Sequence, residues 1–177
     1  MSNKQALRDL QQRLAERMQA ARETTLIATW LAVECAGVGL LFSLKQAAEI
    51  FAPVPIKPVP YAKPWLAGVA NLRGGLFTVV DLAVYLGLRD TAAPRGTAPQ
   101  ARLVSMNGDL NLNCALLVDR LAGLRHPEQM RAVSPASTEA PAFAGGCWRD
   151  SAGRLWQEIR LSMLPREERF LRIVAVR

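Results

Sequence analysis

Gly68 to Leu88, GVANLRGGLFTVVDLAVYLGL, places a turn, a strand and a short helix in one run. Asn71-Leu72-Arg73-Gly74-Gly75 is a turn with a cation at its centre. Its adjacent glycines permit the positive φ that other residues resist. Leu76-Phe77-Thr78-Val79-Val80 is apolar and rich in β-branched and aromatic residues, which predicts a strand buried on both faces. Asp81 is placed to cap a short helix through Leu86, and Gly87 to end it. An arginine held on a glycine turn beside a buried strand is a good place to grip a partner.

Upstream, Thr29 to Glu34 and Gly39 to Phe42 read as two strands joined by a Gly-containing turn. Ser43-Leu44-Lys45-Gln46 has capping-box spacing and predicts a short helix through about Ile50. Pro53, Pro55, Pro58, Pro60 and Pro64 then exclude helix and most sheet, leaving an extended surface segment that Trp65 through Val69 packs back onto the core. Further upstream, residues 3–25 read as an amphipathic helix with Leu7, Leu10, Leu14, Met18 and Ala21 on one stripe. That helix either packs on its own domain or engages another protein. The division expected is a helical extension over residues 1–27 and one domain over 28–177.

Downstream, residues 89–101 offer almost nothing to bury and read as a loop. Arg102–Met106 and Leu110–Val118 form a predicted hairpin across Asn107-Gly108-Asp109. Residues 125–140 read as irregular, with strands at Phe143–Arg149 and Arg154–Ile159, a short helix or loop over Leu161–Arg169, and a last strand at Phe170–Val176. Many short strands with frequent turn signals predict a mainly β chain built of small barrels. The pattern alone does not separate an OB-fold, a pair of SH3-like barrels or a sandwich.

Gly68-Val69-Ala70-Asn71-Leu72-Arg73-Gly74, followed by a strand and then Asp81-Leu82, resembles the signature of the CheW family, adaptors of bacterial chemosensory arrays. Thr78 stands where that family often has proline. Leu117 to Leu124, LVDRLAGL, resembles the second family motif, a strand ending in Val-Asp and a hydrophobic turn. The resemblance covers roughly residues 28 to 177. It implies a CheW-like double five-stranded β-barrel of SH3-like subdomains, with a core between them and residues 89–101 near the crossing of the halves. It implies a non-catalytic adaptor that joins the cytoplasmic tip of a chemoreceptor to the regulatory domain of a CheA-type histidine kinase. The long leader resembles the pilus-associated, PilI-type members, implying an array that controls type IV pili and twitching motility. The family's matching arginine lies near the receptor-facing surface, so Arg73 is the implied contact. Asn71 and Gly74 share its turn, and Val69, Leu72 and Ile50 are candidates at a groove edge.

The formal net charge of +7 and pI near 10 invite a nucleic-acid reading, the alternative here being a small β-barrel nucleic-acid binder. Against it, Arg and Lys are scattered without a basic run, and aromatics are 6%, sparse for a stacking platform. Nucleic acid is therefore not the expected partner. Cys35, Cys114 and Cys147 are odd in number, with no CxxC pair, and His126 has no cysteine neighbour. Buried thiols in a reducing cytosol are expected, not a zinc site. The charged residues of 4–23 are unlike a signal peptide, and Leu31–Leu44 is too short and broken to span a bilayer. The expected location is the cytoplasm, with recruitment to membrane-associated arrays.

No phosphate-binding glycine motif, nucleophile elbow or base–nucleophile constellation is legible, so neither an enzyme nor a cofactor is expected. Asp81 and Asp119 each end an apolar strand, where capping of backbone explains them more simply than a carboxylate pair.

Overall fold

The structure, a computed structural model, describes residues 29–90, 99–107, 112–134 and 140–175. The helix expected over residues 3–25, and with it the extension over 1–27, lies outside the described residues, as do Gly108 and Asp109 of the expected hairpin turn.

The chain is mainly β. Two strands open it, β1 (Trp30–Cys35) and β2 (Val38–Ser43). Five more follow: β3 (Ala47–Phe51), β4 (Leu66–Leu72), β5 (Gly75–Asp81), β6 (Arg102–Met106) and β7 (Cys114–Val118), with the single-turn helix α1 (Leu82–Tyr85) after β5. The last are β8 (Arg120–Arg125), β9 (Met130–Val133), β10 (Ala144–Asp150) and β11 (Leu155–Ile159), then a 3-10 turn over Leu161–Arg166 and the helix α2 (Glu168–Leu171).

The strands form a six-stranded sheet, β8-β1-β2-β11-β10-β9, and a five-stranded sheet, β3-β6-β7-β5-β4. The second sheet is therefore one continuous insertion between β2 and β8 of the first. The chain crosses between sheets at residues 44–46 and at Asp119. Residues 89–101 join α1 to β6, and Arg89 at their start binds Asp119 at the crossing. Two parallel pairings, β2 with β11 and β5 with β7, tie distant parts of the chain together.

Strand alternation then builds three apolar layers. Trp30, Ala32 and Leu41 point into the first sheet with Met130 and Trp156. Ala70, Leu72, Val79, Leu103, Ala115 and Leu117 fill the second. The alternate residues, among them Leu31, Val33, Leu40, Phe42, Val80, Val104 and Leu116, meet between the sheets. This explains the near-continuous apolar runs of β1 and β7: each is a wall with a core on both sides. It also matches the core between halves that the family resemblance implies.

Local signals failed where tertiary pairing overruled them. Ser43 to Gln46 makes a turn, with the Gln46 N–H on the Ser43 carbonyl at 2.9 Å, and no helix follows. Residues 47–51 are β3, because Ala47, Ile50 and Phe51 find partners in Met106, Val104 and Leu103 of β6. β8 and β9 occupy stretches read as a turn and as irregular chain. Of the expected last strand, Phe170 lies in α2, and a single bridge from Val174 to Ala62 is the only β pairing there among the described residues. In β5 the burial expected on both faces holds from Val79 onward, whereas Leu76 is exposed.

Gly68 shows how the first family motif serves the fold. Its φ is +144°, a region L side chains rarely adopt. A Cβ there would run into the Lys57 carbonyl and the Ile56 side chain. Lys57 and Val69 exchange two backbone hydrogen bonds of 2.8 Å, so the proline-rich segment covers the free edge of β4. Gly68→Ala is expected to lower unfolding stability by about 2 kcal/mol, through strain and loss of this cover. A urea titration with an unchanged midpoint would show that the segment does not bear on the edge.

Candidate partner-binding surface

β4 and β5 pair from Leu66 with Val80 to Leu72 with Gly75, leaving Arg73-Gly74 as a two-residue loop. Both loop residues have positive φ, +51° and +85°, the type I′ pattern that suits the twist of a hairpin. Asn71 locks the loop by accepting the Gly74 N–H on its Oδ1 at 2.8 Å. Arg73, in a region most side chains avoid, is thus held at the apex.

Its guanidinium reaches Glu49 of β3, with NH1 at 3.0 Å from Oε2 and 3.2 Å from Oε1. The same group lies 5.9 Å from the centre of the Phe51 ring. β3 and β4 are opposite edges of the second sheet, so this contact shows that the sheet curls until its edges face each other. Glu49 is fixed in turn by buried Ser105 of β6, whose Oγ accepts the Glu49 N–H at 3.0 Å.

The Arg73 side chain is 77% exposed. An ion pair so open to water is worth under about 1 kcal/mol to the fold. Its chief effect is orientation. One nitrogen is engaged, and the rest of the planar fork faces outward.

Six residues were candidates from sequence. Arg73, Asn71 and Gly74 come together at the hairpin tip. Val69 lies half-buried on the outer face of β4, bridged to Lys57. Leu72 points into the second sheet's core at 3% exposure, so it supports the tip from below and touches no partner. Ile50 is exposed, but alternation puts it on the opposite face of β3 from Glu49 and Phe51. Sequence reading missed Glu49, Phe51 and the exposed Leu76. The first two were hidden by the capping-box reading of residues 43–46, and Ala47 to Phe51 alternates in burial without alternating in polarity.

Asp81 and Asp119 take the capping roles expected of them. Asp81 Oδ1 accepts the Val84 N–H at 3.2 Å, and Asp119 Oδ2 accepts the Ala36 N–H at 2.6 Å. Arg89 also binds Asp119 and lies 3.7 Å from Asp81, making an ion-paired junction where the sheets cross. Cys35 and Cys114 are buried, which pushes each thiol up to about 12. His126 heads a 3-10 turn, Pro127–Gln129. Among the described residues, no group of His, Cys, Asp and Glu is arranged to hold a metal ion, and no helix is long and apolar enough to cross a membrane.

Two interlocked sheets sharing a core agree with what comparison with known proteins finds. The CheW-like domain family matches residues 29–169, and the chain belongs to that family. It is similar to Protein PilI of Pseudomonas aeruginosa, 26% identical over 125 residues that cover 69% of this chain and 67% of that protein. The structure is similar to that of the scaffolding protein TtCheW from Thermoanaerobacter tengcongensis, with a TM-score of 0.62 at 20% identity, over 77% of this chain and 86% of that one.

Proposed function

We propose that the chain is a non-catalytic adaptor that couples chemoreceptor tips to the regulatory domain of a CheA-type histidine kinase. The observation that carries this is the Arg73 fork, held at an exposed hairpin apex by Glu49 and Asn71 with most of its donors turned outward. Such a fork suits a carboxylate or a row of carbonyls on a partner. Membership of the CheW-like family and likeness to the scaffolding protein TtCheW support the same reading. The likeness to PilI, together with the leader of residues 3–25, supports an array that controls type IV pili.

The mechanism is geometric. Two sheets packed on one shared core form a rigid spacer, so a partner held at one surface is fixed relative to a partner held at another. A conformational change in the receptor then biases the kinase through the difference in contacts between its two states. Recruitment to membrane-associated arrays follows from receptor binding, and the adaptor needs no membrane segment of its own. In a phosphorylation assay with receptor and kinase present, adding this protein should make kinase output receptor-dependent. Output that is the same with and without it would overturn the proposal.

A further inference from the structure

Arg131 of β9 and Arg149 of β10 stand directly opposite each other. Side chains at such positions share a face, with Cβ atoms about 5 Å apart, and like charges there repel. Their neighbours Met130 and Trp148 pack into the first sheet's core, so both arginines lie on its outer face. Both are exposed, and among the described residues neither makes an ion pair. Together they line a surface cavity of about 440 Å³. A guanidinium N–H of Arg149 donates to the Gly153 carbonyl at 3.2 Å, which holds its fork at the cavity that both residues line.

Two carboxylates are close, and neither neutralises the pair. Asp150 is consumed from within. Its Oδ1 accepts the N–H groups of Ala152 and Arg154 at 3.0 and 2.9 Å, and its Oδ2 accepts the Trp156 indole N–H at 2.9 Å. Glu128, on the cavity wall, is exposed and makes no ion pair with either arginine. The site thus offers two planar donor forks whose charges are unmatched. A carboxylate fits such forks through paired hydrogen bonds. A phosphate dianion fits less well, because Glu128 and Asp150 repel a double charge more than a single one.

The outer face continues in aliphatic side chains. Leu155 of β11 pairs with Arg149 and is 49% exposed. Gly39 and Trp156 are partners in the parallel β2–β11 ladder, so the exposed Val38, one residue before Gly39, lies beside Leu155. Arg131, Arg149, Leu155 and Val38 form a row about 14 Å long across four strands. A free anion would use only the arginine half of it. A protein segment with a carboxylate and an aliphatic side chain complements all of it.

We infer that this row is a docking surface, separate from the Arg73 tip, for a partner segment that carries a carboxylate near aliphatic side chains, with the carboxylate held between Arg131 and Arg149. The probe is a blocked peptide of alanines with one glutamate and one leucine, titrated into the isotope-labelled full chain and followed by amide shifts. The shifts should saturate and stay with Arg131, Arg149, Ser151 and Leu155. Replacing the peptide's glutamate by glutamine should weaken binding about tenfold. Arg131→Gln with Arg149→Gln should weaken it about as much, about tenfold, without lowering the urea midpoint, because a repelling pair has gone. Arg73→Glu lowers the net charge by the same amount on the other sheet and should leave peptide binding unchanged. An equal loss in the Arg73→Glu protein, or shifts spread over the other arginines, would reduce the binding to general attraction and overturn the inference. So would inorganic phosphate that produces the same shifts at the same concentration, since the site would then belong to a free anion.

Discussion

Arg73→Glu is expected to weaken binding to the receptor tip about thirtyfold, an effect of about 2 kcal/mol, while the protein stays folded. The two consequences separate because the Arg73–Glu49 pair is open to solvent at both ends, with side chains 77% and 44% exposed. Reversing the charge sets two carboxylates facing each other, but water screens them and stability should change by under about 1 kcal/mol. The partner loses a positioned, doubly donating fork and meets a repelling charge. Arg73→Glu combined with Glu49→Arg sharpens the test. The swap restores the contact across the sheet edges but moves the guanidinium from the hairpin tip to β3. Stability should recover and binding should not. If binding recovers with the swap, Arg73 acts only by closing the sheet.

Glu34→Ala should have the largest effect on stability, about 3 kcal/mol in a urea titration. Glu34 lies in β1 at 7% exposure. Arg120 of β8 binds it bidentately, with both bonds 2.6 Å, and Arg154 joins from the turn before β11. Arg154 also stacks 4.7 Å over Trp156. One carboxylate thus links three strands of the first sheet, and removing it strands two guanidiniums. Breaking a fully buried pair costs about 3–5 kcal/mol. The arginines here are partly exposed, so water takes up some of their charge and the lower figure applies.

The same group sets a pH dependence. Burial pushes the Glu34 carboxyl up, but its hydrogen bonds to Arg120 and Arg154, aided by their charges, outweigh this and hold it below its ordinary value. A depressed folded-state value means the stabilisation is complete above the ordinary carboxylate range and is lost as pH falls through the depressed value. Wild-type stability should therefore drop on acidification below that range, and Glu34→Gln should show a shallower drop. Parallel curves for the two proteins would remove Glu34 from the acid response.

Much of this was legible where the determining physics is local. The Asp81 cap, the Arg73-Gly74 turn and the β1–β2 hairpin each rest on residues a few positions apart. β8 was not legible, since Arg120-Leu121-Ala122-Gly123-Leu124-Arg125 alternates weakly around a bulge next to Gly123 on a sheet edge. β9 is four residues long and borrows its order from β10. The insertion of one sheet within the other depends on β2 pairing with β11, more than a hundred residues away, and no local pattern encodes that. The family motifs supplied the two-barrel architecture, but not where the chain crosses between its halves. At the candidate site the hairpin tip was readable and its anchor was not. Glu49 becomes Arg73's partner only once the sheet curls and brings its two edges face to face.

The adaptor reading meets its most direct test in calorimetric titration of the protein with the regulatory domain of a chemosensory kinase from the same organism, at two salt concentrations. Saturable one-to-one binding that survives added salt is the predicted result, because contacts buried in an interface are screened far less than exposed ones. No binding at either salt concentration, by protein shown to be folded, would contradict the account.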